Sequence, residues 1–391
     1  MLSIGHKIRG NLGLKLTCFI ICFAFSSGLI SCNMAPGAPK VSPFVNVKQM
    51  YDSNIFMEPD AKDDHITVLS PGVNLEASSA SSELSLNYRL DRFQFWNNTR
   101  ENITGHTILT TGNLRPSRDW SVGFHDRFER TADPATIELT ERQERITNKA
   151  YLRNQYDIDS LSLKLEYANF LYDYDDFDFL DRQSHVVSVA AYYRYLHDLP
   201  FFIQYDREWL AYREEGKSDA DYGALWGGIE GKLGRELTGE IKAGYLWQDY
   251  EQLDRDDFGG GGFYAALRHD FSVKGFLKAL VTRRLEESAY KTNDYYLING
   301  GALELNRKLK GKLSLVLFGS YYNSRYPTET TEGGNTAKRN DDIFTGLARL
   351  EYDFSKRLAA SAGYSFNNRS SNMEVFEFAR HRVSIETVLK F

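Results

Sequence analysis

The feature that most constrains this chain is a two-residue alternation of apolar and polar side chains that recurs along nearly its whole length. Leu313, Leu315, Leu317, Gly319 and Tyr321 share one face of an extended segment, with Ser314, Ser320 and Tyr322 on the other, because successive strand residues point to opposite sides. Leu161, Leu163, Leu165 and Tyr167 oppose Ser162, Lys164 and Glu166, and Leu84, Leu86, Tyr88 and Leu90 oppose Ser85, Asn87 and Arg89. Each segment runs for about 9 to 11 residues, enough to cross a bilayer as a tilted strand. About eighteen of them start near Phe44, Ile66, Leu84, Thr107, Trp120, Ile146, Leu161, Ser184, Phe201, Tyr222, Leu237, Phe263, Leu277, Tyr295, Leu313, Ile343, Leu358 and Ala379.

The links between segments alternate in size. Arg115-Pro116-Ser117-Arg118, Asp157-Ile158-Asp159-Ser160, His197-Asp198-Leu199-Pro200, Gly234-Arg235-Glu236, Lys310-Gly311-Lys312 and Ser355-Lys356-Arg357 are short and rich in turn formers. They are expected to be periplasmic turns. The longer polar stretches 51–64, 131–144, 173–182, 251–262 and 326–342 are expected to be extracellular loops. The longest, Tyr326 to Asp342, is the expected plug if one loop folds inward.

Beyond the first 31 residues no apolar stretch approaches the length of a membrane helix. Hydrocarbon offers no partner to an open sheet edge, so strands that cross it must close into a ring. The expected fold is therefore all-β, a closed antiparallel transmembrane β-barrel of about 18 strands over 43–391. The 24 Tyr and 25 Phe against 9 Pro are a composition that favours many strands. Tyr88, Trp120, Tyr167, Tyr245, Trp247 and Tyr352 fall near strand ends, where interfacial girdles form.

Residues 1–31 carry the parts of a cleaved signal peptide: Lys7, Arg9 and Lys15, an apolar run from Leu16 to Phe25, and Ser26-Ser27-Gly28. Leu29-Ile30-Ser31-Cys32 resembles a lipobox, which would make Cys32 the acylated first residue of the mature chain, while ordinary cleavage nearby is the alternative. Residues 32–42 are expected to be a periplasmic tail. All three cysteines, Cys18, Cys22 and Cys32, lie in this leading region, so the barrel carries no disulfide or thiolate metal site. Loss of 1–31 moves the formal charge from -6 to -9, which argues against nucleic acid as a partner.

Val383, Ile385, Thr387, Leu389 and Phe391 share one face of the last segment, opposite Arg382, Ser384, Glu386 and Lys390. An amphipathic final strand ending in phenylalanine resembles the recognition signal of bacterial outer-membrane barrels. The resemblance implies Phe391 as an assembly signal and the barrel-assembly machinery as a partner. Near the start, Val45, Val47, Tyr51-Asp52-Ser53-Asn54-Ile55, Asp64, Ile66 and Leu69-Ser70-Pro71-Gly72-Val73 are similar to the opening of a family of outer-membrane β-barrel porins, some associated with exopolysaccharide production and export. That resemblance implies a porin-like channel in the outer membrane of a Gram-negative bacterium, passing hydrophilic solutes or exporting an exopolysaccharide. It transfers no binding residue. Asp52 and Asn54 read as turn residues.

The ionisable residues expected to line the lumen are Arg89, Arg127, Glu129, Lys164, Glu166, Glu230, Lys232, Glu240, Lys242, Arg349, Glu351, Arg380, Arg382 and Glu386. They would either set a field across a wet pore or satisfy one another between neighbouring strands. Asp173, Asp175, Asp176, Asp178 and Asp181 form an acidic loop with no EF-hand spacing, expected to be solvated or bridged to lipopolysaccharide phosphates by cations. Gly259 to Gly262 lacks the Lys-Ser/Thr of a phosphate loop and reads as a flexible loop end. His65, His106, His125, His185, His197, His269 and His381 are scattered without a metalloprotease or triad pattern. No cofactor, metal or catalytic residue is expected. An outer-membrane hydrolase and a non-conducting scaffold or adhesin are the rival classes.

Overall fold

Eighteen antiparallel strands form one sheet, and its first and last members pair with each other. The computed structural model describes residues 39–133, 138, 142–196, 198–214, 217–251, 257–272 and 274–391. The signal peptide and Cys32 lie outside them, as does His197. The strands are β1 (Lys40–Asp52), β2 (Asp64–Ser78), β3 (Ser82–Phe95), β4 (Ile103–Leu114), β5 (Trp120–Thr131), β6 (Arg145–Ile158), β7 (Leu161–Tyr174), β8 (Arg182–Leu196) and β9 (Leu199–Tyr212). They continue as β10 (Ala220–Lys232), β11 (Leu237–Tyr250), β12 (Phe258–Asp270), β13 (Gly275–Glu287), β14 (Tyr295–Lys310), β15 (Leu313–Glu332), β16 (Asn335–Asp353), β17 (Leu358–Ser371) and β18 (Phe378–Lys390). The wall is closed by β1 against β18, from Phe44 opposite Lys390 to Asp52 opposite Arg382. Every strand therefore has two partners, which is what a lipid-facing sheet requires.

The alternation sorts the side chains as expected. Leu165, Val189, Ile203, Leu225, Leu303 and Ile385 are exposed on the outer face, while Lys164, Glu166 and Ser188 stand on the opposite face of the same strands. Trp120, Tyr167, Tyr245 and Tyr352 are exposed with the outer set, whose parity Tyr88 and Trp247 share. At the outer end of the chain, Val383, Ile385, Leu389 and Phe391 are exposed together.

Several boundaries differ from the sequence reading. The strands run from 12 residues in β4 to 20 in β15, longer than a bilayer requires, so their ends stand beyond it. The first strand begins at Lys40, inside the expected tail. Gly259 to Gly262 is not a loop end. It lies within β12, where a Cβ on Gly259 would sit 2.5 Å from the Tyr245 hydroxyl and one on Gly262 would sit 2.7 Å from the Trp226 ring.

Tyr326 to Asp342 is not a loop either. Its pairing continues from Glu329 opposite Lys338 to Glu332 opposite Asn335, and Gly333 and Gly334 make the turn at φ +60° and +78°. Two successive residues at positive φ are the requirement of a tight hairpin that glycine meets without strain. One rim thus carries short turns, and the other carries longer connections together with this extended hairpin.

Candidate functional site

All fourteen charged candidates fall on the inward parity of their strands, and the structure brings most of them against an opposite charge. Arg89 meets Asp91 at 2.9 Å, Arg127 meets Glu129 at 2.5 Å, and Glu166 meets Arg153 at 2.7 Å. Lys242 meets Glu240 at 3.0 Å, Arg349 meets Glu351 at 2.7 Å, and Lys232 approaches Asp198 at 3.9 Å. Lys164 reaches from β7 to Glu230 on β10, 3.2 Å away, lying 4.0 Å over the Tyr192 ring on the way. A contact that skips two strands is possible only on the concave face. Glu386 accepts from Asn46 at 2.5 Å, and Arg382 donates to Ser365 at 3.2 Å. Pairs this exposed each contribute little to stability, and they leave the lining nearly neutral in local patches.

Arg380 is different. Its guanidinium donates through Nε to both oxygens of Asp52 at 2.9 Å, and through Nη2 to one of them. Both side chains are buried across the β1–β18 seam. Asp52 also accepts the backbone N–H of Asn54 at 3.1 Å, so its turn role holds, but the dominant partner is 328 residues away.

At the rim with the longer connections, side chains pack across the mouth. Ile55 of the β1–β2 connection seats on Ile66, Val68 and Phe95. Asp64 accepts the N–H groups of Trp96, Asn97 and Asn98 at 3.0, 3.1 and 2.8 Å, ordering the β3–β4 connection. Arg142 lies 4.7 Å over Phe95 and meets Glu101 at 3.3 Å. Glu138, from the β5–β6 connection, is fully buried and accepts from the Ser288 hydroxyl at 2.6 Å and the Ala289 N–H at 2.5 Å. Burial pushes its carboxyl above the usual carboxylate range, against the pull of Ser288, Ala289, Arg339 and Lys217.

The Lys217 ammonium, from the β9–β10 connection, donates to the carbonyls of Ser288, Asn293 and Tyr290 at 2.5, 2.9 and 3.2 Å. Those three bonds use its full donor set. Burial lowers its pKa, opposed chiefly by Glu287 and Asp294. Arg339 is fully buried against Asp341 at 2.6 Å and lies 3.6 Å over the Phe376 ring and 4.8 Å over Tyr326. Glu138, Lys217 and Arg339 escaped the sequence reading because each takes its meaning from partners on distant connections.

The acidic loop falls partly inside structure. Asp173 is the last but one residue of β7, and Asp181 is buried and accepts the Tyr174 N–H at 2.7 Å. Burial raises the Asp181 carboxyl to about 6. Among the described residues no group of three or more His, Cys, Asp or Glu side chains converges as a metal site would. Four of the scattered histidines share the outer face near the mouth, each beside a tyrosine. Tyr88, Tyr167 and Tyr364 bond His106, His185 and His381 at 3.1, 2.7 and 2.8 Å, and the rings of Tyr51 and His65 lie 5.2 Å apart. An amphipathic ring with a polar tip is suited to a membrane interface.

A family model described as "Putative beta-barrel porin 2" matches residues 37–391. No curated protein matches the sequence. Among solved structures, the outer membrane protein opdK from Pseudomonas aeruginosa is 11% identical with a TM-score of 0.47, over 90% of this chain and 99% of its own. OccAB3 from Acinetobacter baumannii is 10% identical with a TM-score of 0.45, over 91% and 100%. The siderophore receptor PirA from P. aeruginosa is 9% identical with a TM-score of 0.44, over 91% and 81%. At such distances no inference about solutes passes from them to this chain.

Proposed function

This chain belongs to the family described as "Putative beta-barrel porin 2", and on that premise we propose that it is a porin-like channel of the outer membrane that passes hydrophilic solutes. The observation that carries the reading is the inward face of the strands. Ion pairs such as Arg349–Glu351 and Arg89–Asp91 are part-exposed there, as befits side chains solvated by a wet lumen rather than packed in an apolar core. In this reading the rim with the longer connections is extracellular and contacts lipopolysaccharide. The charged candidates other than the buried Arg380 then tune which ions pass. Export of an exopolysaccharide is the finer reading that the family resemblance supports.

Planar-bilayer recording tests the channel. Purified protein is expected to give stepwise conductance, and Arg349→Glu with Arg382→Glu to raise the cation-to-anion permeability ratio severalfold, read from the reversal potential in a salt gradient, because two fixed positive charges become negative. A folded barrel that stays electrically silent under every condition would shift weight to a scaffold, a role suited to the packed mouth. Candidate oligosaccharides that neither block the current nor fail to be exported when the gene is deleted would remove the polysaccharide reading.

We also infer that the amphipathic last strand is read by the barrel-assembly machinery. A chain lacking Phe391 is expected to accumulate unassembled in the periplasm, at a tenth or less of the normal level in heat-modifiable form (~10-fold, about 1.4 kcal/mol of recognition). Equal assembly of the truncated and full-length chains, compared by gel mobility without boiling, would refute that role.

A further inference from the structure

Among the described residues, the seam between β12 and β13 is unzipped over the upper end of both strands. The β12–β13 ladder ends with Phe263 opposite Arg283, yet β12 continues to Phe258 alongside β11, and β13 continues to Glu287 alongside β14. Above that last rung the β13–β14 hairpin parts from β12, while β14 stays paired with β15 as far as Leu297 opposite Arg325, and its tip turns into the mouth. Three residues show the direction. By alternation Glu287 and Tyr295 belong to the outer face, with Val281 and Arg283. Instead Glu287 is bonded by Gln248 and, at 3.2 Å, by the Tyr212 hydroxyl, both on the inner face. Tyr295 stacks on Tyr250 at 6.3 Å and meets Phe258 edge-on at 5.4 Å. Leu285 packs against the same inner cluster.

Two strand edges are left facing one another across this gap. No rung joins Gly259–Gly262 to Arg284–Glu287, and the side chain of Arg283 bonds the carbonyl of Gly261 at 2.9 Å. Were the ladder extended in its existing register, Gly261 would face Leu285 and Gly259 would face Glu287. That arrangement would return Leu285 to the outer face, Tyr295 to the girdle, and Glu287 to the aqueous rim, so the sequence alternation suits both positions. The tucked position is held by Lys217 on three carbonyls of the 288–294 connection and by Glu138 on Ser288 and Ala289. Two packings of one element, each with its own hydrogen bonds, are the physical basis of a two-state device.

We propose that the upper β13–β14 hairpin is a lid over the pore, hinged at the Phe263–Arg283 rung, shut when tucked inward and open when its β13 edge zips onto Gly259–Gly262. Lys217 is the clasp. The lid rests on the channel reading for its consequence, though its motion does not.

Cysteine pairs in a Cys32→Ser background separate the two positions. Gly260→Cys with Glu286→Cys marks the zipped state, because these residues would form a non-hydrogen-bonded pair with Cβ atoms ~5 Å apart. Gln248→Cys with Glu287→Cys, bridged by a short bis-methanethiosulfonate because only the tips of the long native side chains touch, marks the tucked state. The first pair is expected to cross-link on oxidation and the second with the reagent, both read by mass spectrometry. Lys217→Met is expected to speed the first and slow the second severalfold. In bilayers the zipped cross-link is expected to raise conductance severalfold and the tucked one to suppress it, each reversed by reductant.

Cross-linking of the tucked pair alone, even with Lys217→Met, overturns the lid, as does equal conductance of both locked forms. Efficient zipping in a barrel that never conducts leaves the lid in place and removes the channel reading instead.

Discussion

Arg380→Ala lowers the unfolding free energy of the barrel by about 3–5 kcal/mol, the usual cost of stranding one member of a buried ion pair. The reason lies at the closing seam. Asp52 is completely buried and takes three hydrogen bonds from the Arg380 guanidinium, so truncation leaves a charge with no water to solvate it. Arg380→Lys is expected to recover only part of the loss, because an ammonium cannot reproduce the two-pronged contact. The exposed pair Lys40–Glu76, 3.4 Å apart on β1 and β2, supplies the control. Glu76→Ala should cost under about 1 kcal/mol. Urea titrations in lipid vesicles, followed by the gel mobility of unboiled samples, measure both. Equal midpoints for the two variants would show that the seam does not depend on the pair.

The second large effect is local. Arg339→Ala is expected to speed proteolysis and amide exchange in 288–294, 326–340 and 372–377 by about 10²–10⁴-fold, the same ~3–5 kcal/mol expressed as a population of opened mouth. Arg339 is held by Asp341 and stacked on Phe376, with Tyr326 and Tyr290 alongside. It therefore ties the long hairpin to two other connections. It also lies above the highest β16–β17 rung, Asp341 opposite Ser371, so the urea midpoint of the barrel itself should stay within error. Unaltered exchange at the mouth, or a fall in barrel stability as large as that of Arg380→Ala, would refute this division between wall and mouth.

The contrast between these residues marks what is legible in the sequence. A two-residue period is a local property, so all eighteen strands could be found from it, and fourteen charged side chains could be placed on the inward parity. Where the pattern lacks apolar punctuation it misleads. Glycines carry no side chain to alternate, which hid the start of β12. The run from Thr328 to Lys338 has polar side chains on both faces, which made a paired hairpin read as a loop.

The mouth is invisible for a further reason. Glu138 meets Ser288 across 150 residues and Lys217 meets Ser288 across 71, and no spacing rule links positions so far apart. The same holds for Asp52 and Arg380, two ordinary charged residues until the ring closes. Tyrosine–histidine pairing could have been anticipated once the hairpins were drawn, because Tyr167 and His185 stand diagonally across one of them.

The Phe391 N–H bonds the carbonyl of Pro43 at 2.9 Å, and β1 and β18 are ordinary neighbours in the ladder. A cylinder joined in this way has no distinguishable beginning once it is made. The order in which its staves appear in the gene matters for the act of building and not for the finished object. Strand order could thus be rotated, by joining 391 to 40 and cutting at Gly333–Gly334, without altering the wall, while depriving whatever builds it of its terminal cue.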